Sequence, residues 1–405
     1  MKKVAIIGGG ASGLCCAIML KRLNIDIDVT IFESNDRVGK KLAITGNGRC
    51  NISNEQLSAD RYHGDAKFAK KIIDNFDFQN QKKFFDSIGL PFIIEENGKA
   101  FPMSLQAGSV VDILRFECSE LKINILLSSK VEKVIKNNNA FTVFSNNKSY
   151  DFDAVITATG GKAGGKIADD SGYKILKSLG HKIEPLFPAI VQMKTETDII
   201  RSLKGVKVVG KITLFSGDFH KTDMGEILFC DYGISGPPVL QLSRYSNENK
   251  CCVEIDFMPD FSHDELVNII NKRIEHQKNR LTSELFTGFI NKRLGQVVLK
   301  MSECNLNDVC KTISCKQIDN LATLLKCFRL TVIGNTGFSN AQVTAGGAQT
   351  NQFFDNLMSK KVKGLFAIGE ILNVDGDCGG FNLAFAWASA NAAANGVIEY
   401  LNYKD

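Results

Sequence analysis

The sequence predicts a mixed α/β protein, a parallel-sheet domain interrupted by a β-rich insert, and three observations lead there. The chain opens on an apolar strand, a glycine-rich turn, a helix and a second apolar strand. Its texture becomes strand-rich after about Pro188 and helical between about 260 and 330. After about 345 it returns to an apolar strand and an Ala-rich helix, so the first domain is expected to be discontinuous. A chain of 405 residues exceeds the roughly 250–300 at which single cores stop growing, so more than one domain is required.

Each element follows from local pattern. Val4, Ala5, Ile6 and Ile7 form an unbroken apolar run, the mark of a strand covered on both faces. Leu14, Ala17, Ile18 and Leu23 recur at helical spacing, and Val29-Thr30-Ile31-Phe32 reads as the second strand. Residues 68–121 carry helical patterns around the extended piece Pro91-Phe92-Ile93-Ile94. The stretch 123–157 alternates as a meander with a turn at Asn137-Asn138-Asn139 and returns to the sheet at Ala154-Val155-Ile156-Thr157. Strands are expected at 206–215 and 251–255. Ser262 with Glu265, and Ser314 with Gln317, each fit a capping box ahead of an apolar helical stripe. A strand at 364–368 and a helix from about Leu383 complete the pattern.

Composition narrows the class. With 44% hydrophobic and 23% charged residues this is a folded globular chain. The net charge of +5 is mild and its lysines are scattered in short groups, so a nucleic-acid surface is not expected. No apolar run is long enough to span a bilayer, and the amino terminus reads as a strand rather than a signal peptide, which predicts a cytoplasmic protein with no membrane partner. The 12 cysteines show no C-x-x-C pair and no metal spacing, so they read as reduced thiols, and no metal is expected. Nothing in the sequence speaks to oligomeric state.

The chemistry is carried first by Gly8-Gly9-Gly10-Ala11-Ser12-Gly13, a G-x-G-x-x-G between strand and helix. Gly8 permits a tight turn, Gly10 lets backbone approach a pyrophosphate, and Gly13 lets helix and strand pack closely, while the helix start offers free N–H groups. Glu33 closes the next strand, about 20 residues beyond the last glycine, where a carboxylate accepts bonds from ribose hydroxyls and repels a 2′-phosphate. Two more apolar strands end in Thr159-Gly160 and in Gly369-Glu370, as the companion motifs of two-dinucleotide flavoproteins do, which favours FAD over a bound nicotinamide. In the loop 45–51, Gly46 and Gly48 let backbone come close to a flavin ring, Asn51 offers a partner for its polar edge, and Arg49 offers charge for the reduced form. A surface arginine on a structural turn is the lesser alternative for Arg49, whereas packing is the favoured reading of Cys50. None of the five histidines sits in a recognisable motif.

Four separated stretches also resemble a known family: Gly39-Lys40-Lys41-Leu42 with Thr45 to Asn51, Gly225 to Phe229 with Gly233 to Pro237, Ala341 to Gly347, and Gly369-Glu370 with Asp375 to Leu383. In this order they look like the BaiN/RdsA-type NAD(P)/FAD-dependent oxidoreductases, the aminoacetone oxidase-like bacterial flavoproteins, over nearly the whole chain. The resemblance implies a Rossmann-like FAD-binding domain with an inserted β-barrel-like domain and a helical subdomain. The boundaries drawn here are 1–188 with 346–405, 189–258 with 331–345, and 259–330. Where the family usually reads Thr-His after the barrel Phe this chain has Cys230-Asp231, and where it carries Ser and Pro after Gly161 this chain runs Lys162 to Lys166, so substrate preference is not carried across.

Motifs and resemblance together imply that FAD is held, without a covalent bond, by Gly8, Gly10, Ala11, Ser12 and Gly13 at the pyrophosphate, and by Glu33, Ser34 and Val131 on the adenosine side. Lys41, Thr159, Gly160, Gly369 and Glu370 are expected along the middle of the cofactor. Gly46, Gly48, Arg49, Cys50 and Asn51 are expected at the ring, and Gly380, Phe381, Asn382 and Leu383 at its N1–C2=O edge under a helix N-terminus. Catalytic groups are not legible beyond the weak candidates Arg49 and Asp375. The expected activity is hydride transfer between a reduced nicotinamide and a small organic molecule through the flavin. The alternatives are an amine oxidase that passes electrons to oxygen and a non-catalytic flavin-binding redox sensor. No second G-x-G-x-x-G follows a strand, so NAD(P)H is expected only as a transient co-substrate.

Overall fold

The computed structural model describes residues 1–247 and 251–403. They fall into two compact units, Met1–Pro188 with Phe338–Asp405, and Ala189–Gly337.

The first unit is built on a five-stranded parallel sheet. Its order is Leu365–Ala367, Ala154–Thr157, β1 (Lys3–Ile7), β2 (Asp28–Phe32) and Asn124–Leu126. Val4, Ala5 and Ile6 are fully buried, as a strand covered on both faces must be. Helix α1 (Ala11–Leu23) follows β1 and is buried from Ser12 through Leu20. It packs on the C-terminal helix Phe381–Asn402, which begins two residues ahead of the expected Leu383. In that helix the fully buried Trp387 donates to the Ile52 carbonyl at 2.8 Å and meets Phe85 edge-on. Truncating so large a buried ring costs about 3–5 kcal/mol, so this contact anchors the helix.

The meander forms a sheet of its own, Val131–Asn137, Ala140–Ser145 and Lys148–Phe152, and only Ala154–Thr157 enters the parallel sheet. Phe32 of β2 joins the two layers through edge contacts with Tyr150 and Phe152. The chain re-enters the first unit at Phe338 rather than 346, because Val343–Ala348 pairs with Ile183–Ala189.

The second unit holds a closed six-stranded barrel, in the order Met193–Thr195, Gly233–Ser235, Phe219–Phe229, Lys207–Ser216, Cys251–Asp256 and Phe328–Asn335. Helices His263–Gln277 and Cys315–Lys326 both start in complete capping boxes, at Ser262 with Glu265 and Ser314 with Gln317. Their stripes, including Leu266, Ile270, Leu321 and Leu325, share one apolar cluster with Ile255 and Phe328 of the barrel. The helical segment 259–330 is therefore continuous with the barrel core and does not form a third body.

Candidate cofactor site

The glycines after β1 divide into two kinds. Gly8 has φ +113°, and a Cβ there would lie 2.4 Å from the Ala158 carbonyl oxygen, while a Cβ at Gly13 would lie 2.0 Å from that of Gly8. Those two are required by the fold itself. Gly10 has φ −86° and ψ −165°, open to any residue, and a Cβ there meets nothing within 4 Å. Neither backbone nor packing demands glycine at this position, so its bareness leaves room for something outside the chain. Ala11, Ser12 and Gly13 form the first turn of α1, whose N–H groups have no helical partner.

Glu33 does more than its place in the fingerprint implies. It is buried, its Oε2 accepts the Gly9 N–H at 2.9 Å, and its Oε1 accepts the Asn35 N–H and side-chain amide, each at 2.7 Å. Ser34 Oγ adds a long contact of 3.4 Å to Oε1. A carboxylate has about four acceptor positions, so Oε2 keeps capacity for a ribose hydroxyl while it steadies the phosphate loop. Val131 stands two residues beyond Ser129, whose N–H donates to the Glu33 carbonyl at 2.7 Å.

Tertiary folding brings the distant motifs to this loop. A Cβ at Gly8 would touch Thr159 Cα at 3.0 Å, and next to it Gly160 adopts φ +72° with open space around it. A Cβ at Gly369 would sit 2.8 Å from Ser12 Oγ. Lys41 Nζ is 2.6 Å from Glu370 Oε2, and Glu370 Oε1 accepts the Thr344 N–H at 2.9 Å.

The loop expected at the flavin ring has positive φ at Gly46, Asn47, Gly48 and Cys50. It ends against the C-terminal helix: a Cβ at the cap residue Gly380 (φ +96°) would lie 2.8 Å from Asn51 Oδ1. That oxygen is buried and makes no hydrogen bond within the protein. An orphaned acceptor costs about 1–3 kcal/mol, so its presence at a helix start points to a donor that a ligand brings. Cys50 is fully buried, and burial pushes its thiol up to about 12, which suits packing rather than redox chemistry. The Arg49 guanidinium pairs with Glu95 at 2.9 Å and lies over the Phe101 ring, so its charge is already countered on a half-exposed surface. Asn382 clips the preceding loop, accepting from the Gly376 N–H and donating to the Gly376 carbonyl, both at 2.8 Å. Phe381 is buried edge-on to Tyr62, and Leu383 packs against the core from a half-buried position.

Sequence reading missed one cluster. The strand Tyr62–Gly64 pairs with Val374–Gly376, setting Asp375 opposite His63. One step on, Asp377 Oδ1 meets His63 Nε2 at 2.7 Å and Oδ2 lies 3.6 Å from Arg61 Nη1. Tyr62 donates its hydroxyl to the Phe381 carbonyl at 3.0 Å, and burial, reinforced by Asp377, holds that phenol well above its usual range. The only trace in sequence was an acidic position inside the quoted 375–383 stretch, because the partners lie more than three hundred residues away.

The bare Gly10 cradle, the Glu33 carboxylate, the unpartnered Asn51 oxygen and two helix starts together fit FAD. Fold and site define a Rossmann-type, FAD-dependent oxidoreductase. The chain matches the family model described as HI0933-like protein Rossmann domain over residues 2–396, and it belongs to that family, as the BaiN/RdsA-type resemblance implied. It is 35% identical to a 3-dehydro-bile acid delta(4,6)-reductase of Clostridium scindens, over 98% of this chain and 100% of that one. It is 30% identical to a ribosomal RNA dihydrouridine synthase of Haemophilus influenzae, over 96% of each. Among solved structures, the E. coli quinol fumarate reductase subunit FrdA aligns with a TM-score of 0.51 at 15% identity, over 100% of this chain and 72% of that one, a likeness of fold. Among the described residues no helix is long and apolar enough to cross a membrane.

Proposed function

We propose that this protein reduces a carbon–carbon double bond conjugated to a carbonyl in a small organic molecule, with FAD as resident carrier and reduced NAD(P)H as transient donor. The observation that carries the reading is that two full-length relatives bear names describing one kind of chemistry. A delta(4,6)-reductase and a dihydrouridine synthase both add two hydrogens to an unsaturated ring. The higher identity to the bile-acid enzyme, and the lack of a basic run, favour a small substrate over RNA.

FAD, when bound, supplies hydride chemistry that no side chain provides. The Gly10 loop and the start of α1 would hold its pyrophosphate, with Glu33 on the ribose and the pair Lys41 and Glu370 beside its middle. Asn51 Oδ1 would accept a ring N–H. The first turn at Gly380 to Leu383 would face the edge on which negative charge gathers, an electrostatic role for backbone N–H groups.

Anaerobic stopped-flow mixing with NADH or NADPH tests this reading. The expected result is bleaching of the flavin, then its return on adding an enone. Peroxide release driven by amines in air, without enone-driven reoxidation, would replace the reading with the oxidase alternative.

A further inference from the structure

Hydride from a reduced nicotinamide carries two electrons and one hydrogen, so the nicotinamide leaves oxidised and the flavin that accepts it holds one negative charge. That charge gathers on the N1–C2=O edge, where a cation held in advance stabilises it. We propose that Lys99 is that cation. The proposal rests on the placement of FAD given above and not on the identity of the substrate.

Position is the first argument. Lys99 opens the strand Lys99–Pro102, which pairs with Ser53–Asn54 and sets Lys99 opposite Asn54. Asn54 donates its side-chain amide to the Gly379 carbonyl at 2.8 Å, which fastens this strand pair to the cap of the C-terminal helix. Lys99 itself reaches the same turn: its Cε lies 3.7 Å from a Cβ placed on Gly379. One residue on, a Cβ placed on Gly380 would lie 2.8 Å from the orphaned Asn51 oxygen. The lysine and the orphan therefore stand at two adjacent residues of one turn. Further along the strand, Phe101 Cε1 lies 3.7 Å from a Cβ placed on Gly46. This strand touches both of the loops expected at the ring.

Charge is the second. The Lys99 side chain is half-buried, and among the described residues it makes neither an ion pair nor a hydrogen bond. A cation that gives up part of its hydration is normally paired, so an unanswered one points to an anion from outside the chain. The other cations near these motifs are answered within the protein. Arg49 pairs with Glu95 at 2.9 Å and lies over Phe101, Arg61 stands 3.6 Å from Asp377, and Lys41 is 2.6 Å from Glu370.

Complementarity is the third. The pyrimidine edge of a flavin presents an N–H beside the C2=O group, a donor next to the carbonyl on which the charge settles. Asn51 Oδ1 is an acceptor without a donor, and Lys99 is a cation without a counter-charge. The two side chains match the two ring groups, and the backbone N–H groups of the first helical turn add to the charge of the lysine.

The test uses the FAD-loaded protein, titrated anaerobically with dithionite beside a reference dye, which reads the midpoint potential with no substrate present. K99M is expected to lower the reduction equilibrium constant about 10-fold, a fall of about 30 mV for a two-electron couple. K99R keeps the charge and should stay near the wild-type potential, whereas R49M, whose charge Glu95 already counters, should move it less than K99M does. K99Q serves if K99M fails to hold FAD. An unchanged potential in K99M, or in K99Q where that variant must serve, overturns the assignment, as does a fall in R49M as large as that in K99M. Loss of FAD from both K99M and K99Q overturns the preference for the reduced state, because the lysine would then hold the oxidised cofactor as well. Wild-type protein that takes up no FAD overturns the cofactor reading and this proposal with it.

Discussion

Lys41 Nζ lies 2.6 Å from Glu370 Oε2, a contact spanning 329 residues of sequence, and the same carboxylate accepts the Thr344 N–H. One ion pair thereby joins the short helix Lys40–Ala43 to the helical turn Gly369–Ile371 that follows the strand Leu365–Ala367. Both side chains are partly exposed, so screening keeps the pair at the modest value of surface salt bridges, about 1 kcal/mol. Lys41→Met is expected to lower Tm by about 2–4 °C and to raise the Kd for FAD. Calorimetry and flavin fluorescence measure the two separately; a lower Tm with an unchanged Kd would assign the pair to the fold alone.

Gly10 and Gly13 should respond oppositely to substitution. Gly10→Val places its side chain where no protein atom lies within 4 Å of a Cβ, so the apoprotein should fold with near wild-type circular dichroism yet come off a column colourless. Gly13→Ala forces a methyl to within 2.0 Å of the Gly8 carbonyl oxygen and should destabilise the apoprotein itself. Near wild-type flavin content in Gly10→Val would refute the pyrophosphate cradle.

Glu33→Ala removes the acceptor for the Gly9 and Asn35 N–H groups as well as the expected ribose contact. FAD binding should weaken by about 1–3 kcal/mol, the range for hydrogen bonds to a charged group. Titrating the apoprotein with FAD checks this, and the cofactor that denaturation releases should be FAD rather than FMN.

The buried thiols give a pH prediction. Burial raises Cys50 and Cys118 to about 12, and it raises Cys15 and Cys16 as well. These folded values lie above the ordinary thiol value of about 8.5, so their contribution is whole below that pH and is lost as pH climbs toward the folded values. Denaturant midpoints should therefore fall above about pH 9. At pH 8 a thiol reagent should label the exposed Cys315 quickly and leave these four unmodified until the chain unfolds.

Much of the fold could be read before any coordinates. The unbroken apolar run of β1, the 3.6-residue stripe of α1 and both capping boxes depend on neighbours within a few residues, so local sequence specifies them. The glycine loop with Glu33 was legible for the same reason, since one strand–turn–helix unit must satisfy its own sterics.

Other features exist only after folding. That Gly8 must stay bare against the Ala158 carbonyl is decided by a segment some 150 residues away, which the local pattern does not show. Arg49 looked free until Glu95 and Phe101 met it, and Asn51 gained its meaning from being left without a partner at the cap of a helix that starts at Phe381. His63 is the clearest case. In sequence it is a histidine between a tyrosine and a glycine, and its significance comes from Asp377, 314 residues away. Periodicity encodes burial because burial is a property of each residue's own side chain, whereas a pairing across strands is a property of two distant residues and the sheet register that aligns them. The chain alone determined its elements, its dinucleotide loop and its class; the tertiary structure decided which polar groups stand together, because only packing sets the distances on which their chemistry depends.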